Sequence, residues 1–164
     1  MKKMALILTI GLIFWLMSPA VISADFEGTI KETKNLLSMF GIQNLNLVKM
    51  LDFISGIKGQ SPEIYVECAA CKILMEEEKL LISQSQNLLF EIEKIIKQAK
   101  DAKKEGAFNA EEKEKIKKEI QSKMDEISQK IAKISAIHLK VMEYLSEKFD
   151  FLLKDSEKVK STPV

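Results

Sequence analysis

Between Pro62 and Pro163 the chain contains no proline and a single glycine, Gly106. Glycine and proline punctuate turns, so a stretch of this length with one breaker points to two long helices joined near that glycine. No alternating apolar and polar run of useful strand length competes with that reading. The expected fold class is therefore all-α.

Local signals place the ends of these helices. Gly59-Gln60-Ser61-Pro62-Glu63 combines a glycine stop, a serine cap and a proline at the first helical position, where its missing N–H costs nothing. A helix over 62–103 follows, then a turn at Lys104-Glu105-Gly106-Ala107-Phe108. Asn109 with Glu112 three residues on forms a capping box that opens a last helix over 109–154. The tail 158–164 reads as frayed.

Ahead of the hairpin, Phe26, Ile30, Leu37 and Phe40 suggest a short helix over 26–40 that stops at Gly41. Asn44 is a good N-cap for a second, over 44–57, carrying Leu45, Leu47, Val48, Met50, Leu51, Phe53, Ile54 and Ile57. That helix is apolar over most of its circumference, so it must be buried or touch lipid or a partner.

The long helices carry seven-residue repeats of coiled-coil type. Ile120, Met124, Ile127, Ile131, Ile134, His138, Val141, Leu145 and Leu152 line the last helix. Cys71, Leu74, Leu81, Leu88, Ile92, Ile95 and Ala99 line the one before, interrupted by Glu78 and Ser85. A short turn makes the pair antiparallel; if residue 102 faces residue 110, Cys71 lies near Val141 and His138 near Leu74. Far from the turn, Ile64, Ile73, Met75 and Ile82 widen one apolar face, and Ile137, Met142, Tyr144, Phe149 and Phe151 the other. The two N-terminal helices would cover them, giving two short helices packed on a long antiparallel hairpin in a four-helix, bundle-like domain over 25–157.

Residues 1–24, MKKMALILTIGLIFWLMSPAVISA, run from two lysines through an apolar core to a small-residue end. That is the layout of a secretory signal peptide cleaved after Ala24 or one residue earlier, so the protein is expected to be secreted and extracellular. Every one of the 25 basic residues is lysine, and loss of the leader leaves 23 lysines against 24 acids. A nucleic-acid binder needs a basic surplus and the bidentate grip of arginine; nucleic acid is therefore not an expected partner.

Chemistry is sparse. Cys68 and Cys71 are the only cysteines and His138 the only histidine. At i and i+3 the two α-carbons are close enough for a disulfide, although side chains mid-helix do not point at one another. Three states are open: an internal bridge in a strained turn, which export favours; a bridge between two chains; and a pair of reduced seam thiols. Cys68, Cys71, His138 and Glu78 would suffice for a tetrahedral metal site, but a seam histidine satisfied by Glu78 is the simpler reading, and no metal is expected. One histidine in a seam supports no nucleophilic triad, and no glycine-rich phosphate loop occurs. Neither enzymatic activity nor a cofactor is expected.

The stretch CAACKILMEEEKLLI, residues 68–82, resembles the opening helix of saposin-like domains, where C-x-x-C-K precedes aliphatic residues, a glutamate and a Lys-Leu pair. The resemblance implies a secreted, all-α, lipid-interacting protein. Only Cys68 and Cys71 map onto the family's cysteines; its later cysteines have no counterpart after Cys71.

Two functions follow. One is binding of a lipid, another apolar small molecule or a membrane surface, with Leu47, Met50, Leu51, Ile54, Met75, Met142 and Phe149 as ligand-binding candidates. The other is a coiled-coil-type interaction with a protein partner or a second copy in a homodimer, without a small-molecule ligand.

Overall fold

The computed structural model describes residues 26–57, 61–104 and 109–160, with side chains over 28–57, 61–104 and 109–150. The leader, the turn residues 105–108 and the side chains of Phe151 and Leu152 lie outside the described residues. Among the described residues there are three helices: α1 (Phe26–Gly56), α2 (Pro62–Lys104) and α3 (Ala110–Lys160). Among the described residues there is no strand, and no helix is long and apolar enough to cross a membrane. The chain divides into two compact units, Met1–Leu36 and Leu37–Val164, with the boundary inside α1.

The two short N-terminal helices are one helix of 31 residues. Gly41 is a stop only if the chain there turns left-handed, and it stays helical with nothing within 4 Å of an added Cβ. Asn44 does not cap either. Its Nδ2 donates across to the Met75 carbonyl of α2 at 2.8 Å, and the residue is buried. A mid-helix glycine costs roughly 0.5–1 kcal/mol relative to alanine. Burial of Leu37, Leu47, Leu51 and Ile54 on one side of α1 outweighs that penalty.

The hairpin starts as expected. Pro62 is the first residue of α2, and the Ile64 N–H donates to the Ser61 carbonyl at 3.1 Å. Before α3, the Glu112 N–H donates to Asn109 Oδ1 at 2.8 Å and the Asn109 N–H to Glu112 Oε2 at 3.2 Å, the reciprocal pair of a capping box. α3 continues to Lys160, past the expected end at 154.

All eight seam positions of α3 from Ile120 to Leu145 are buried, none more than 5% exposed. On α2 the seam is displaced. Met75, Ile82 and Leu89 are buried, whereas Leu74, Leu81 and Leu88 are half-buried. Each half-buried leucine precedes a buried apolar residue, so periodicity alone could not choose within the doublets Leu74-Met75, Leu81-Ile82 and Leu88-Leu89. Cross-pairs Glu67–Lys148, Cys68–Tyr144, Gln84–Lys130 and Glu91–Lys123 hold the two helices antiparallel. Cys71 shares a core cluster with Val141, and His138 meets Glu78, one turn nearer the hairpin tip than Leu74.

The part of α1 from Leu37 to Gly56 lies against the end of the hairpin remote from its turn. Leu47, Leu51 and Ile54 join Cys68, Cys71, Met75, Val141 and Leu145 in one apolar cluster. Lys72 ties α2 to α1 through Asp52 at 2.7 Å and Ser55 at 3.4 Å.

Candidate functional site

Seven-residue spacing places Cys71, Glu78, Ser85 and Ile92 in one buried row of α2. Two of the four are polar, and each needs an internal partner once water is excluded. Ser85 bonds back to the Leu81 carbonyl at 2.8 Å within its own helix. Glu78, with no exposed surface, carries a carboxylate, which only accepts and so cannot bond back to a helix carbonyl as a serine does. Its Oε1 lies 3.3 Å from His138 Nδ1, while Oε2 has no hydrogen-bond partner among the described residues. Phe40 and the imidazole meet in a T-shaped arrangement, 5.7 Å between ring centres. With Asn44 on the Met75 carbonyl, these groups form a polar layer across all three helices. A carboxylate and an imidazole form an acid–base couple, yet at 0% and 5% exposure the pair faces protein rather than solvent. Its physical effect is to favour one register of α2 on α3, because any slip would leave a buried polar group alone.

Cys68 and Cys71 are both buried free thiols, and the internal bridge expected from their spacing is not made in this structure. Helical geometry sends the two side chains apart, and Cys68 Sγ instead meets Tyr144 Oη at 3.3 Å. Lys148 lies 5.2 Å above the Tyr144 ring and pairs with Glu67 at 2.6 Å. Among the described residues no three of His, Cys, Asp and Glu are grouped to hold a metal ion.

Burial, then the neighbouring Cys68, pushes the Cys71 thiol above its ordinary value of 9.0. Burial, then the hydrogen bond with Cys68, pushes the Tyr144 phenol far above 10.0. Both groups hold their protons more tightly in the folded than in the unfolded chain. Their contribution to stability is fully present below the unfolded values and is lost as pH rises past them. Urea midpoints measured from pH 7 upward are therefore expected to fall once pH passes 9.0, the ordinary thiol value. Tyr144→Phe should flatten the later part of the decline.

The ligand-binding candidates divide. Leu47, Leu51, Ile54 and Met75 belong to the central apolar cluster, each at most 7% exposed, and the half-buried Met142 and Phe149 pack against it. Met50 is 37% exposed and stands apart from them. The structure therefore places six of the seven as packing partners of one another.

The residues left out of the candidate set lie outside, and on α1 they are the second side of the helix whose apolar circumference had called for burial, lipid or a partner. α1 exposes Ile42, Leu45 and Phe53 at 61, 60 and 62%, on the side opposite Leu47, Leu51 and Ile54. α2 exposes Val66, Ile73 and Leu80 at 71, 71 and 57%, so Ile73 does not widen the covered face as expected. No large apolar side chain of α3 is exposed among the described residues. The seven-residue interval between Val66, Ile73 and Leu80 was the signal available for the second stripe.

Compared with known proteins, the chain matches no family model, no curated protein and no solved structure. The saposin-like resemblance of residues 68–82 rests on those residues alone.

Proposed function

We propose that the protein is a secreted, non-enzymatic helical protein that binds an apolar surface, a lipid membrane or a lipid-like molecule, through the outer face of α1. The observation that supports this reading is the exposure of Ile42, Leu45 and Phe53, flanked by Met39 and Met50, on a helix whose other side is already used for the core. Ile42 stands one turn from Met39 and Leu45, and Phe53 one turn from Met50, so the exposed apolar side chains of this face are grouped rather than scattered singly, as at an interaction surface. A helix of this kind lies in the plane of a bilayer interface with its apolar side down. Because the interior candidates pack on one another, a surface is favoured over an enclosed pocket. The exposed repeat on α2 favours, as a second reading, a protein interaction.

Flotation of the mature chain with phosphatidylcholine vesicles, with and without anionic lipid, tests the proposal. The chain should float with the vesicles, and Ile42→Ser with Phe53→Ser should weaken partitioning by at least about 10-fold, since each buried side chain contributes on the order of 1.5–3 kcal/mol. Displacement of a fluorescent fatty acid without flotation would assign the same chemistry to a dispersed ligand. No binding in either assay would sink the reading.

A further inference from the structure

We propose that the outer face of α1 selects bilayers that contain anionic phospholipid, with Lys49 as the residue that meets the lipid phosphate. The proposal rests on the lipid-surface reading above and narrows it to one charge class of lipid. From Leu37 to Gly56 the helix carries two charged residues, Lys49 and Asp52. Asp52 is already matched, since its carboxylate lies 2.7 Å from the Lys72 ammonium of α2. Lys49 is exposed and has no ion-pair partner among the described residues. The unmatched charge of this segment is therefore positive.

Position decides what that charge can meet. Lys49 follows Leu45 by four residues and Ile42 by seven, and precedes Phe53 by four, so helical spacing puts it on the same outer side as these three. A cation amid exposed apolar side chains suits a surface that is apolar inside and anionic at its boundary. With α1 laid on a bilayer, Ile42, Leu45 and Phe53 enter the acyl region, while the stem of Lys49 runs along them and lifts its ammonium to the phosphates. A protein partner would have to bury a carboxylate beside that lysine among apolar groups, at a desolvation cost that a hydrated headgroup avoids. The other exposed polar residues of the segment, Ser38 and Asn46, are uncharged, so no unmatched carboxylate there repels an anionic lipid. One lysine near an anionic membrane surface favours binding about 5-fold.

Flotation of the mature chain with vesicles of pure phosphatidylcholine, and with vesicles of phosphatidylcholine mixed with phosphatidylglycerol, tests it. The mixed vesicles should take up the chain about 5-fold more strongly at low salt, and the gain should shrink as salt is raised. Lys49→Gln should remove most of that gain and leave uptake by pure phosphatidylcholine nearly as it was, with unchanged helix content by circular dichroism. Lys133→Gln, which removes the same charge from an exposed position of α3, should keep the gain. Equal uptake by both vesicle types would overturn the proposal and leave the lipid-surface reading standing. So would a gain that survives Lys49→Gln, or one that Lys133→Gln removes to the same extent. Uptake by neither vesicle type would sink both.

Discussion

Glu78→Ala will destabilise the protein by roughly 3–5 kcal/mol, and the double variant Glu78→Leu with His138→Leu will recover most of that loss. Glu78 has no exposed surface, His138 is 5% exposed, and their 3.3 Å contact is the one hydrogen bond of the carboxylate among the described residues. Removing one member leaves the other buried without its partner. Removing both replaces two desolvated polar groups with side chains that the surrounding Phe40 and Met75 can pack against. Urea unfolding of Glu78→Leu, of His138→Leu and of the double variant closes the cycle and gives the coupling directly. If both single variants unfold like the wild type, the layer is not a specificity device, and some other contact holds the register of α2 on α3.

The second large effect concerns two aliphatic side chains on neighbouring helices. Leu51→Ala should cost about 2–5 kcal/mol, the range for a buried leucine whose loss leaves a cavity. Ile73→Ala should change the stability of the monomer by no more than about 0.5 kcal/mol. Leu51 has no exposed surface and sits among Leu47, Met75 and Val141; Ile73 is 71% exposed. Chemical denaturation at low concentration, where self-association is negligible, compares the two. Equal losses would mean that the stripe on α2 is covered within a single chain and would remove the motive for a partner there.

These contrasts also mark where the sequence could be read and where it could not. Pro62 at the head of α2, the Asn109–Glu112 box and the buried row from Ile120 to Leu145 were all legible, because each depends on residues within a turn or two of one another. The pairing of His138 with Glu78 was legible as a neighbour relation once an antiparallel hairpin was assumed. Gly41 and Asn44 were misread. A glycine is a permission rather than an instruction, and an asparagine that caps an isolated helix can instead satisfy a carbonyl on another one. Six of the seven candidate binding residues pack on one another where α1 meets the hairpin, and Met50 stands outside that cluster.

From residues alone came the all-helical class, the hairpin and its approximate register, since apolar periodicity and turn chemistry act locally. The tertiary structure decided which member of each apolar doublet faces inward. It also joined the first two segments into one helix and left Ile42, Phe53, Val66 and Ile73 in water. Those outcomes depend on how many neighbours each helix finds. A helix that is apolar on two sides can bury only the side its chain supplies a partner for, and the other side remains available to lipid or to another molecule.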